Sequence, residues 1–252
     1  MKKTLVLLMA FVMVFALACC GTAEPAESTG AAPDSGKTQV MTYKEYAAAE
    51  MGAAVTVETY VQAKQSWWDG KATLYTQAED GAYFIYQMPC TEEEYEKLTA
   101  GTKIRVTGKK SEWSGEIEIT DATFEILEGK FTAEPYDVTA LVGADELADH
   151  QNKLVAFKTM TVEAKTDAQG NEAAFLYGWD GSGKEGDDLY FDASVDGKKV
   201  SFTVESYLCG SDTEVYKAVK ELKVGDVIDI TGFLYWYDGA NPHVTAVSPA
   251  EQ

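Results

Sequence analysis

From Tyr43 onward the chain runs in short stretches of alternating apolar and polar residues, separated by turn residues. Alternation of period two is the mark of a half-buried strand. In the first half it predicts strands at 55–64, 72–77 and 82–87, then one ending at Thr107-Gly108, then one at 116–126. Short helices stand before the first and fourth of these. Thr42 with Glu45, and Thr91 with Glu94, have the spacing of a capping box, in which hydroxyl and carboxylate satisfy each other's backbone N–H. The second half predicts a short helix at 145–150 and strands at 153–165, 172–179, 189–195 and 199–207. An insertion lies at 180–187. A helix at 213–222 follows, started by Ser211 with Glu214, and strands ending at Gly232 and spanning 243–247 complete the pattern. Val215, Ala218, Val219 and Leu222 fall on one helical stripe. Asp69-Gly70, Asp80-Gly81, Asp196-Gly197 and Asp238-Gly239 are hairpin-turn signals.

The two halves repeat. Leu98 to Gly108 matches Leu222 to Gly232 position for position, with glycines at 101 and 225, isoleucines at 104 and 228, and Thr-Gly at the end. Each half reads helix, strand, strand, strand, helix, strand, strand. A small barrel with a helix before its fourth strand is the OB-fold. The expected fold is mostly β with short helices: two tandem five-stranded OB-fold barrels, the first at 42–130 and the second at 131–252.

What precedes them is different. Lys2 and Lys3 open an apolar run from Leu5 to Ala18 that ends at Cys19-Cys20. The run is too short to cross a bilayer comfortably and has the layout of a secretory signal peptide at 1–19. A Cys at the cleavage point resembles a bacterial lipobox. Cys19 is the expected lipid attachment site, with Cys20 the alternative. Residues 20–41 are rich in Gly, Ala, Ser, Thr and Pro and read as a flexible tether. The expected place is the bacterial cell surface, membrane-anchored and facing outside the cytoplasm.

The formal net charge is −20, and loss of Lys2 and Lys3 makes it more negative by two. Such a balance opposes nucleic acid and anionic membranes and suits neutral or cationic ligands. Cys90 and Cys209 form an even pair that could close a disulfide or stay as two buried thiols. His150 and His243 are the only histidines, and neither sits in a zinc-spaced cluster. Asp180, Glu185, Asp187 and Asp188 crowd a Gly-rich stretch that fits no calcium motif and reads as a solvated acidic loop. No metal, cofactor or catalytic residue is expected.

Aromatic residues gather in the loops. Gln65 to Lys71 (QSWWDGK) joins strands one and two of the first barrel, and Trp113 lies between strands four and five. Tyr235, Trp236 and Tyr237 hold the equivalent four-five position in the second barrel. OB-folds bind oligonucleotides or oligosaccharides on the face of strands two and three, flanked by these loops. Trp67, Trp68, Trp113, Tyr235, Trp236 and Tyr237 are therefore the candidate ligand contacts. Alternatively, the same rings plug a barrel mouth or cover an interface between the barrels. In the third strand, Phe84 and Tyr86 share one face and Tyr83 and Ile85 the other.

The Thr-Gly end of the fourth strand looks like OB-folds of the nucleic-acid-binding type. From Tyr43 to Ala250 the chain resembles uncharacterised tandem OB-fold surface lipoproteins of Clostridia. That resemblance implies the fold and no particular activity. Charge, location and the aromatic loops give the expected role: a non-catalytic, surface-anchored binding lipoprotein with oligosaccharide as the first ligand and an envelope protein as the alternative partner. Nucleic acid is the less expected partner; Lys64, Lys71, Lys103, Lys109 and Lys110 are the cations that could serve it.

Overall fold

The structure, a computed structural model, describes residues 39–250. The segment expected to be a signal peptide, Cys19, Cys20 and all but the last residues of the expected tether lie outside the described residues. Helix α1 (Tyr43–Ala48) leads into β1 (Ala54–Lys64), β2 (Lys71–Gln77) and β3 (Ala82–Pro89). Helix α2 (Glu92–Lys97), β4 (Thr102–Trp113) and β5 (Glu116–Lys130) follow, and the strands close a barrel in the order β1-β2-β3-β5-β4. The second barrel is built from β6 (Leu154–Glu163), β7 (Leu189–Val195), β8 (Lys198–Val204), helix α3 (Glu214–Lys220), β9 (Val227–Phe233) and β10 (His243–Pro249). It repeats the order, β6-β7-β8-β10-β9, with β7 closing on β6. The fold is mostly β, two closed five-stranded barrels, as the pattern predicts. Each has its own core: Val57, Leu74, Ile85 and Ile104 in the first, Phe157, Phe191, Phe202 and Ile230 in the second.

The repeated glycines have physical work in both copies. Gly101 and Gly225 both take left-handed φ, +83° and +91°. Their N–H groups donate to equivalent carbonyls, Val61 and Val162. Gly108 and Gly232 sit at irregular steps in the pairing of the fourth strand with the fifth. A Cβ on Gly232 would meet the His243 carbonyl oxygen at 2.4 Å, and one on Gly108 would meet the Thr120 carbonyl oxygen at 2.7 Å. The Thr-Gly signature thus marks where two backbones approach too closely for a side chain.

Both capping boxes form, Thr42 with Glu45 and Thr91 with Glu94. Asp69-Gly70 and Asp196-Gly197 make two-residue hairpin turns with both residues at positive φ. Several expectations are corrected. Asp80-Gly81 also lies in a hairpin, between β2 and β3, but in a longer loop closed by the Ala78 N–H on the Gly81 carbonyl; Gly81 lies under the Tyr43 ring, and Asp80 accepts the Tyr43 N–H. The cap of α3 is Thr213, whose hydroxyl accepts the Tyr216 N–H, rather than Ser211. Residues 145–150 form a 3₁₀ helix. The strand expected at 172–179 is reduced to pairs at Glu172–Ala173 and Leu176–Tyr177, interrupted at 174–175 and ended at Gly178, which turns the chain at positive φ. The barrel takes β7 as its second strand instead. Cys90 and Cys209 are free thiols, each buried in the core of its own barrel, so the disulfide is absent.

The barrels meet through the outer face of β2 and β3. Tyr75 and Phe84 point outward there, yet both are buried against Phe233, Leu154 and Tyr235. The Tyr75 and Phe233 rings stack at 4.6 Å. The Tyr75 hydroxyl lies 2.6 Å from Nδ1 of buried His243, whose ring stacks on Tyr235 at 4.1 Å. The β4–β5 hairpin adds a polar seam. Its Glu116 is fully buried, and Oε2 accepts the Trp236 backbone N–H at 2.8 Å and the Gln151 amide at 3.1 Å. Asn152 donates to the Ile117 carbonyl, and Leu154 N–H donates to the Gln77 side chain.

Two predictions follow from this packing. Gly232→Ala should destabilise the chain by about 1–3 kcal/mol, since the added methyl must displace backbone. Denaturant unfolding reads this, and an unchanged midpoint would contradict it. The second concerns pH. Burial pushes the Glu116 carboxyl up to about 8 and holds His243 down to about 3. Folded Glu116 therefore binds its proton more tightly than the unfolded chain does. Its contribution is full below its ordinary value of 4.5 and is lost as pH rises through about 8. His243 acts at the other end, withdrawing stability as pH falls from 6.5 toward 3. Glu205, raised to about 7, adds to the loss on the alkaline side. Between pH 5 and about 8.5 stability should fall by an amount on the order of a few kcal/mol. Glu116→Gln should remove the larger part of that slope; an equal slope in the variant would contradict the assignment.

Candidate ligand cleft

The loop Gln65 to Lys71 is fixed at both ends. Ser66 N–H donates to the Tyr207 carbonyl of the second barrel at 2.7 Å. Trp68 and Lys71 exchange two backbone hydrogen bonds across Asp69-Gly70. The two adjacent rings then part ways. Trp67 is 37% exposed, and its indole N–H donates to the Cys90 carbonyl at 3.2 Å. Trp68 is 69% exposed and lies over a cleft of about 360 Å³ at the junction of the barrels.

The cleft is lined by Gln65, Ser66, Trp68, Lys71, Thr73 and Tyr86, and further by Gln87, Glu205 and Tyr207. Tyr86 stands on the same face of β3 as Phe84. Phe84 is covered by the second barrel, while Tyr86 lies beyond its edge and stays exposed. Gln87, at φ +47°, donates its amide to the Tyr86 hydroxyl at 2.9 Å and so holds that ring in place. Lys71 reaches the Gln87 side chain at 3.5 Å. From the second barrel come Tyr207, exposed, and Glu205, which follows β8 directly. Burial, then the nearby Asp188, push the Glu205 carboxyl up to about 7. Its Oε2 accepts the Leu208 N–H at 2.8 Å.

The other sequence-derived candidates are dispersed. Tyr235 is half-buried between His243 and Phe84. Trp236 packs over Gly115 and serves the seam between the barrels. Tyr237 and Trp236 line a separate groove of about 530 Å³ with Asp145, Lys199 and Asn241. Trp113 is exposed at the β4–β5 hairpin tip. Trp179 is exposed just before the insertion, where a broad hollow of about 670 Å³ reaches Tyr207. Among the six candidates, only Trp68 lines the cleft at the junction.

Thr73, Tyr86, Gln87, Glu205 and Tyr207 are the cleft residues that loop reasoning missed. Tyr86 carries a signal in the alternation of Tyr83 to Tyr86. Glu205 carries none, being one of 41 acidic residues.

The candidate cations are mostly engaged within the first barrel. Lys64 donates to the Tyr95 carbonyl, Lys103 pairs with Glu58 and Lys109 with Asp121. Lys110 is buried and caps the end of α1, donating to the carbonyls of Tyr46, Ala47 and Ala49 at 2.8–3.1 Å. In the acidic loop Asp180 accepts the Ser182 N–H, Asp187 the Lys184 N–H, and Glu185 pairs with Lys220. Among the described residues no group of three His, Cys, Asp or Glu is placed to hold a metal.

No protein-family model matches the chain, and no curated protein matches it in sequence. Among solved structures it is similar to the Ifi202 HINa domain in complex with 20 bp double-stranded DNA: 13% identity, over 79% of this chain and 100% of that one, TM-score 0.34. It is also similar to a murine DNA-binding protein bound with double-stranded DNA, at 11% identity over 78% and 97%, TM-score 0.36. A third is the replication protein A heterotrimer bound to single-stranded DNA, at 11% identity over 79% and 49%, TM-score 0.30. Likeness at this level carries no argument about function. The fold stands on the chain's own strand order: it is a pair of OB-type barrels.

Proposed function

We propose that this is a non-catalytic binding protein, anchored by lipid on Cys19 or Cys20 at the bacterial cell surface, that holds an oligosaccharide in the cleft between its barrels. The observation that carries the reading is the set of three exposed rings, Trp68, Tyr86 and Tyr207, around a cleft that also presents amide, hydroxyl and carboxyl groups. Flat apolar faces with polar groups at their edges suit the face and rim of a sugar ring. The strong negative charge of the chain is compatible with such a ligand. Trp67, Tyr235 and Trp236 support the cleft walls and the seam in this reading, and do not contact ligand.

A second reading places single-stranded nucleic acid on the same rings. Aromatic faces stack on bases as readily as on sugars. This reading requires cations free to meet phosphates. Lys71 is the one of the five candidate lysines that lines the cleft.

Titration of the protein with cellotetraose, maltotetraose and the N-acetylglucosamine tetramer, and with a single-stranded DNA oligomer, separates the two. The readout is tryptophan fluorescence. A saturable change with a saccharide is expected, and Trp68→Ala should weaken it by about 1–3 kcal/mol without lowering the melting temperature. Trp113→Ala should leave it unchanged. A change with DNA alone that fades as salt rises would replace this reading with the second. Silence with all four would overturn both and turn attention to a protein partner in the envelope.

A further inference from the structure

Glu205 is a mostly buried carboxyl in an aromatic-lined cleft, and no cation of the described residues pairs with it. Buried carboxylates are ordinarily paired, because the lost hydration must be recovered elsewhere. The groups around Glu205 do not do this. Asp188, before β7, repels it. Tyr75 and Tyr235, from β2 and the β9–β10 loop, carry phenols that burial raises further above their ordinary value. Tyr190 on β7 is raised to about 12 and Cys209 to about 11, so both stay neutral. Lys71, from β2, lines the same cleft but reaches Gln87. The Leu208 N–H fixes one carboxylate oxygen and supplies no charge.

We propose that the cleft selects a ligand bearing a protonated amine, seated against the Glu205 carboxylate and beneath the rings of Trp68, Tyr86 and Tyr207. This rests on the saccharide reading and narrows it to aminated sugars. Aromatic faces attract a cation through their electron-rich surfaces, most strongly where water is partly excluded. A carboxylate completes the pocket by direct pairing. The negative field of the chain raises the local concentration of cations before they dock.

The test pairs each tetrasaccharide above with its derivative carrying one primary amine in place of a 6-hydroxyl. Binding is measured by calorimetry on the wild-type protein and Glu205→Gln. At pH 8 the amine is protonated and Glu205, titrating at about 7, is ionised. The wild type should hold the amine form roughly tenfold or more tighter than its parent. Glu205→Gln should erase that preference, bringing the ratio of the two affinities in the variant to about one. Lowering the pH from 8 to about 6 should weaken the amine form alone, because Glu205 then takes up its proton. Equal binding of both forms, or a preference that survives Glu205→Gln, overturns the inference and leaves the saccharide reading standing. Binding of neither form overturns both.

Discussion

The arrangement of this protein depends on one buried face. Tyr75 and Phe84 project outward from β2 and β3, where an isolated barrel would leave them in water. The second barrel covers them with Phe233, Leu154 and Tyr235. Burying an aromatic side chain stabilises by roughly 1.5–3 kcal/mol, so an exposed Tyr75–Phe84 pair would be a substantial loss. The polar groups at the contact are matched across it: Tyr75 to His243, Gln77 to Leu154, Glu116 to Trp236 and Gln151. Burial also accounts for the unusual titration of Glu116 and His243, since neither can ionise without facing the desolvation that the contact imposes.

That contact decides which part of the face stays open. The face of strands two and three is the usual binding surface of an OB-fold. In the first barrel its centre is occupied by the second barrel. What remains open is the edge, where Trp68, Lys71, Tyr86 and Gln87 of one barrel face Glu205 and Tyr207 of the other. The cleft is therefore a product of the pair, and neither barrel contains it alone. The β4–β5 hairpin, flanking a binding face in the general scheme, is spent instead on the seam through Gly115, Glu116 and Ile117.

Most of the fold was legible from the sequence because its signals are local. Alternation fixed the strands of the first barrel, and the Gly101/Gly225 and Gly108/Gly232 pairs marked backbone demands that only glycine meets. The second strand of the second barrel was misplaced for an equally local reason: a strand-like run at 172–179 is interrupted at 174–175 and ended at Gly178. The cleft was legible only in part. Adjacent tryptophans at an Asp-Gly turn pointed to Trp68 and also to Trp67, whose indole N–H is committed to Cys90. Alternation in Tyr83 to Tyr86 separated an inner from an outer face, but not the covered Phe84 from the open Tyr86. Glu205 and Tyr207 acquire meaning only when the barrels are brought together, a long-range event that no sequence window contains.

The central claim is that the β2–β3 face of the first barrel is buried against the second, and a double-mutant cycle on Tyr75 and Phe233 tests it most directly. These rings stack at 4.6 Å across the contact and belong to different barrels. Unfolding free energies of Tyr75→Ala, Phe233→Ala and the double variant should show a coupling of about 0.5–1.5 kcal/mol, the range for aromatic pairs. Losses that simply add, to within about 0.3 kcal/mol, would show that the two rings do not meet and that the barrels are not joined through this face.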